Sequence, residues 1–136
     1  MDVLVVSISQ LQDDIMSESA ITLYTHQTPN GIKISITLEE LGLPYKVYNI
    51  NSTAMEQKSD WFLEINPNGR IPAIVDKLED GTPIRVFESG SIMQYLVQRY
   101  DKDYRISYPP GSREQIEVRY SKAIIIHVNN PLKCSR

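Results

Sequence analysis

Asn66-Pro67-Asn68-Gly69-Arg70-Ile71-Pro72-Ala73-Ile74-Val75-Asp76 leads through an acidic turn into Ile84-Arg85-Val86-Phe87-Glu88-Ser89-Gly90-Ser91. Two β-branched segments, Ala73–Asp76 and Ile84–Phe87, flank Asp80-Gly81-Thr82-Pro83, a pattern that predicts a hairpin. Pro72 stands at the entry to the first strand, where a proline removes no interior ladder bond. Past the second strand, Ile92, Met93, Leu96, Val97 and Tyr100 recur at helical spacing. Ser89, small and polar just ahead of that run, is the expected N-cap. A carboxylate at Glu88 then lies beside the positive end of a helix, a pairing that suits a zwitterionic ligand.

Working outward, Trp61–Ile65 predicts a short helical turn and Asn51–Asp60 a polar connection. Tyr45–Asn49 and Ile21–Tyr24 read as strands, and Ile21–Tyr24, apolar and uncharged, suits a central position. Thr28 is a good N-cap, with Pro29 at the first helical position. The residues that follow are ambiguous. Ile32, Ile34, Ile36 and Leu38 alternate with Lys33, Ser35 and Thr37, which taken alone favours a strand. Gly42 and then Pro44 signal the end of a helix instead. The element order is βαβ, a short helix, then ββα, an α/β arrangement on a mixed sheet.

Composition narrows the function classes. A chain of 136 residues suits one compact domain. A net charge of −3 without a basic cluster argues against nucleic acid or an anionic membrane as partner. Cys134 is the single cysteine, and His26 and His127 lie far apart, so no metal site is expected. Met1–Leu11 is apolar, but Asp2 stands where a secretory signal carries positive charge, so cytoplasm is the default expectation. Met16 is an alternative start, which would leave Met1–Ile15 as an extension outside the fold.

Three motifs in this order, Thr28-Pro29-Asn30-Gly31, Asn66–Ala73 and Phe87–Ile92, resemble the N-terminal, thioredoxin-like domain of glutathione transferases. The pattern is most similar to the fungal nitrogen-regulator-like branch and its bacterial nu-class relatives, from about Ile21 to about Glu117. With the helix-end signals, the resemblance selects a helix over Pro29–Leu41, expected to be buried on more than one side because it carries apolar residues on more than one side. It implies a thioredoxin-like fold with a mixed four-stranded sheet. It also implies glutathione as substrate, beside a small electrophile or disulfide.

The resemblance carries roles onto matching positions. Glu88 pairs with the γ-glutamyl ammonium, and Ser89 with the adjacent helix N–H groups holds the glutamyl carboxylate. Ile71, before a Pro72 that the family holds cis, exchanges backbone hydrogen bonds with the cysteinyl unit. Gln57 falls near the glycyl end. Where many relatives carry tyrosine, serine or cysteine, this chain has Thr28-Pro29-Asn30. The Asn30 amide and Thr28 hydroxyl are therefore expected to hold the thiolate and lower its pKa at the helix N-terminus. Tyr24 reads first as a packing residue. Taken singly, Asn66–Gly69 is only a turn, Arg70 an exposed or ion-paired cation, and Cys134 a free thiol without a role.

The expected organisation is an extension over 1–18, a thioredoxin-like glutathione-binding domain over 19–103, a linker opening a helical domain over 104–117, and a non-family tail over 118–136. On that expectation the chain binds glutathione with activity impaired because most of the helical domain is missing. The outer faces of Pro29–Leu41 and Ser89–Tyr100 would then be apolar and exposed, and Ile124-Ile125-Ile126 aggregation-prone. The alternative is a non-enzymatic regulatory or dimerisation module, as a homodimer or a mixed dimer with a full-length relative. A glutaredoxin-type activity is weaker, because no cysteine occupies the first strand–helix junction.

Overall fold

The computed structural model describes residues 20–118, and its architecture follows from side chains alternating across four short strands. Strands β1 (Ile21–Thr25), β2 (Tyr45–Asn49), β3 (Ala73–Lys77) and β4 (Pro83–Phe87) form one sheet in the order β2-β1-β3-β4. β1 runs parallel to β2 and antiparallel to β3, and β3 runs antiparallel to β4. The parallel pair is joined through helix α1 (Pro29–Glu40); α2 (Asp60–Leu63) precedes β3, and α3 (Ser89–Tyr100) follows β4. This is the expected thioredoxin-like order, and the uncharged Ile21–Thr25 strand is central.

Because successive strand residues point to opposite faces, Ile74 and Ala73 serve two different cores. Ile74 joins Ile21, Leu23, Ile34, Leu38, Ile92 and Leu96 beneath α1 and α3. Ala73 joins Ile50 and Phe62 on the other face, against Tyr24, Ile65 and Phe87. The tertiary structure settles the ambiguous isoleucine run as helix. Ile34 and Leu38, one turn apart, are fully buried, while Ile32 and Ile36, also one turn apart, are 52% and 55% exposed. Among the described residues α1 is thus covered on one side, not on several as its apolar content suggested. The helix stops at a Schellman turn: Gly42, at φ 65°, donates to Glu39 O, and Leu43 N donates to Leu38 O.

Two boundaries differ from expectation. Pro83 belongs to β4 rather than to the turn, which is tolerable because β4 is an edge strand. The turn itself is closed by Leu78 N donating to Thr82 O at 2.8 Å and Thr82 N donating to Asp80 Oδ1 at 2.9 Å. Ser89 is the first residue of α3 and not its cap. Glu88 takes the cap position because its carbonyl already accepts Ile92 N at 2.9 Å. After α3, the buried carboxylate of Asp101 accepts from Arg105 N, Ile106 N and Ser107 Oγ, which turns the chain back beside the helix. Residues 113–118 are helical. The readings of Met1–Ile15, Ile124–Ile126, His127 and Cys134 fall outside the described residues.

Candidate functional site

Helices α1 and α3 start on the same side of the sheet, and their first turns meet at the loop that leads into β3. A cleft of about 50 Å³ there is lined by Asn30, Asn66, Arg70, Ile71, Pro72, Glu88 and Ser89. It has room for roughly four waters. Asn30 belongs to the first turn of α1 and Ser89 opens α3. Both helices are 12 residues long, so two macrodipoles place partial positive charge at one cleft. Glu88 supplies the opposing negative charge.

Local sequence explains this convergence. Thr28, with extended backbone, accepts Gly31 N on its hydroxyl oxygen at 3.1 Å, and Pro29 follows where no N–H is needed. Gly31 lets α1 begin directly against β1. A Cβ at that position would collide with Thr25 Oγ1 and lie 2.7 Å from His26 O. At the other wall the Ile71–Pro72 peptide is cis. Glu88 has φ 67° and ψ 121°, and its side chain makes no cap hydrogen bond to α3. Its carboxylate oxygen Oε1 accepts from Asn68 Nδ2 at 3.4 Å.

Of the residues singled out in the sequence, the cleft brings together Asn30, Ile71, Pro72, Glu88 and Ser89. Thr28 and Gln57 are outside its lining. Thr28 uses its hydroxyl oxygen as the α1 cap, although its O–H remains a donor. Gln57 sits in a 3₁₀ turn (Glu56–Lys58), donates through Nε2 to Met55 Sδ at 3.7 Å, and keeps a buried Oε1 with no partner among the described residues. Tyr24 packs at ring distances of 5.5 Å from Tyr48 and 6.1 Å from Trp61 and Phe62, as its packing reading anticipates.

Sequence reasoning passed over three contributors. Asn66 and Arg70 line the cleft, and the Asn66 side chain organises its rim. Asn66, 1% exposed, donates to Arg70 O at 2.7 Å and accepts Asn68 N at 3.0 Å. Lys33 donates to Asn30 Oδ1 at 2.9 Å, which brings a cation to the edge of the cleft and leaves the Asn30 amide nitrogen as its remaining donor group. The available signal was position: Asn66 and Arg70 belong to the same motif as Ile71, and Lys33 lies one turn beyond Asn30.

A larger cleft of about 210 Å³ lies at the opposite end of α3, lined in part by Val97, Tyr104, Ile106 and Tyr108. Its carboxylate, Asp101, is already occupied by the Arg105–Ser107 turn. The smaller cleft is the one at which two helix N-termini and a carboxylate meet.

Known proteins share this fold. The family model for the glutathione S-transferase N-terminal domain matches residues 29–99. The glutathione S-transferase-like protein tpcF of Aspergillus fumigatus is 45% identical over 92 residues, which cover 68% of this chain and 39% of that protein. Protein URE2 of Candida albicans is 43% identical over 83 residues, 60% of this chain and 24% of that one. A crystal structure of a glutathione transferase homolog from Lodderomyces elongisporus, with two GSH per subunit, superposes at a TM-score of 0.72 and 43% identity. It matches 81% of this chain and 50% of its own. The chain spans half or less of the length of each of these relatives. A sheet of this order, with its helix ends meeting at a cis-proline loop and the family match along most of it, places the chain in the glutathione S-transferase family through the N-terminal domain.

Proposed function

We propose that the cleft binds the γ-glutamyl end of glutathione and presents its thiol, as a thiolate, to an electrophile or a disulfide. One observation carries this: a carboxylate and two helix N-termini line the same small cleft, matching an ammonium and a carboxylate carried on one carbon. Glu88 takes the ammonium, while Ser89 and the first N–H groups of α3 take the glutamyl carboxylate. The Ile71 backbone, held before the cis-proline, pairs with the cysteinyl unit. The relative from Lodderomyces elongisporus holds GSH, which supports glutathione as the ligand here.

The thiol would then lie toward the start of α1. A thiolate there accepts from the Asn30 amide and the Thr28 hydroxyl, with the helix end and the nearby Lys33 ammonium opposing its charge. Each of these lowers a thiol pKa. The sulfur lone pair attacks the electrophilic atom and forms a thioether as the leaving group departs with the bonding electrons. With a disulfide, it forms a mixed disulfide and releases the other sulfur as thiolate. Gln57, in the Glu56–Lys58 turn outside the cleft, is the residue assigned to the glycyl end.

Titration of the purified chain with glutathione, followed by backbone NMR, tests the proposal. Saturable shifts at Ile71 and Ser89, abolished by Glu88→Ala, are expected. A folded spectrum that ignores millimolar glutathione would overturn it and favour a non-enzymatic, thioredoxin-like module.

A further inference from the structure

The Asn66–Gly69 turn does more than reverse the chain. Three hydrogen bonds hold it: Asn66 Oδ1 accepts Asn68 N at 3.0 Å, Asn66 O accepts Gly69 N at 2.8 Å, and Asn66 Nδ2 donates to Arg70 O at 2.7 Å. Gly69 has φ 57°, and a Cβ there would lie 2.8 Å from both Gln57 O and Lys58 Nζ. The turn is thus closed on itself and seated on the Glu56–Lys58 turn. Asn68 projects from it, and its amide reaches Glu88 Oε1 at 3.4 Å across 20 residues of sequence.

Lys58, the cation that packs against this turn, is held elsewhere. Its ammonium donates to the backbone carbonyl of Asn68 at 3.1 Å. At position 68 the Glu88 carboxylate meets a neutral amide, while Arg70 lines the same cleft. That distinction decides what Glu88 can do. A lysine or arginine at position 68 would neutralise Glu88 and compete with an incoming ammonium. An amide orients one carboxylate oxygen through a hydrogen bond and adds no charge of its own. Orientation matters here because Glu88 is exposed and its side chain makes no cap bond to the helix it precedes.

From this geometry we infer that Asn68 is a positioning residue which sets Glu88 for recognition of the ligand's ammonium group, and so selects ligands that carry a free γ-glutamyl amine. The inference rests on the glutathione reading above. It adds a residue that acts through Glu88 without touching the ligand.

The test is a ligand-by-mutant cycle on the full chain. Wild type and Asn68→Ala are titrated calorimetrically with glutathione and with its deaminated analogue, which lacks only the ammonium. Asn68→Ala is expected to weaken glutathione about tenfold, the scale of one hydrogen bond to a charged group. Binding of the deaminated analogue should stay within about twofold of wild type, since it makes no demand on Glu88. A loss of equal size for both ligands would overturn the inference, because it would make Asn68 a structural turn residue. Unchanged glutathione binding in a folded Asn68→Ala chain would also overturn it. Failure of the wild type to bind glutathione is a separate outcome, which removes the underlying reading and this inference together. A second measurement needs no ligand: the Asn68 side-chain amide resonances should move in Glu88→Ala, and their indifference would overturn the contact itself.

Discussion

The carboxylate of Asp76, fully buried on β3, accepts the hydroxyl of Tyr100 at 2.6 Å. Tyr95 donates to the same oxygen at 2.7 Å, and Arg99 Nε stands 3.7 Å away. Arg99 also donates to Lys77 O at 2.7 Å, so the last turns of α3 are tied to β3 by polar contacts at the end opposite the cleft. Hydrogen bonds to a charged group contribute about 1.5–3 kcal/mol each. Tyr100→Phe should therefore cost about 2 kcal/mol in urea unfolding. Asp76→Ala, which strands both phenols and the guanidinium, should cost about 3 kcal/mol or more.

The same cluster predicts alkaline sensitivity. Burial first, and then the Asp76 carboxylate, push the Tyr100 hydroxyl up to about 12 and raise that of Tyr95 as well. In the unfolded chain both titrate near pH 10, as tyrosines ordinarily do. A group whose pKa is raised on folding contributes stability that is full below the unfolded value and is lost as pH rises toward the folded one. The urea midpoint should thus fall between about pH 10 and about pH 12, and Tyr100→Phe should flatten that fall.

Asp101 behaves in the opposite sense. Burial pushes its carboxyl up, but hydrogen bonds from Ser107, Ile106 and Arg105 outweigh burial and hold it below the usual carboxylate range. Its contribution is full above the unfolded pKa, near 3.9, and is lost as pH falls through the depressed folded value. Hydrogen-exchange protection of the Arg105 and Ile106 amides should drop on acidification before that of the Leu23 and Ile74 amides. Asp101→Asn should bring the same loss of protection to neutral pH.

At the start of α1 two substitutions separate capping from close approach. Thr28→Ala removes the acceptor for Gly31 N and should cost about 1 kcal/mol in thermal or urea unfolding. Gly31→Ala forces a methyl group against the backbone carbonyl of His26 and the Thr25 side chain, and should cost more, about 2–3 kcal/mol. Circular dichroism melts would rank the two, and the reverse order would show that the helix end can retreat from β1.

The exposed edge of α1 makes a fifth prediction. Ile32 and Ile36, 52% and 55% exposed, lie one turn apart on the side away from Ile34 and Leu38. Replacing both with lysine should reduce the fluorescence of a bound apolar dye substantially. The unfolding free energy in urea should change by less than about 0.5 kcal/mol, because neither side chain supports the core. A large loss of stability would mean that this side is covered in solution.

The hairpin, the cap and stop of α1 and the order of elements were legible in the sequence, because each rests on contacts within a few residues. Thr28 with Pro29, Gly42 before Pro44, and Asp80-Gly81 between two β-branched runs express local backbone preferences. The cleft was legible in part. Glu88, Ser89, Ile71 and Asn30 belong to motifs whose order points to one family, and the structure gathers them around one cleft. Burial of Ile34 rather than Ile32 was not legible. The two have the same chemistry, and only the packing of α1 against the sheet and α3 distinguishes them. Nor did Ser89 disclose that Glu88 would take the cap position, which depends on where β4 releases the chain. The contact of Asn68 with Glu88 was beyond sequence altogether: 20 residues separate them, and only the folded Asn66–Gly69 turn brings a neutral amide to that carboxylate.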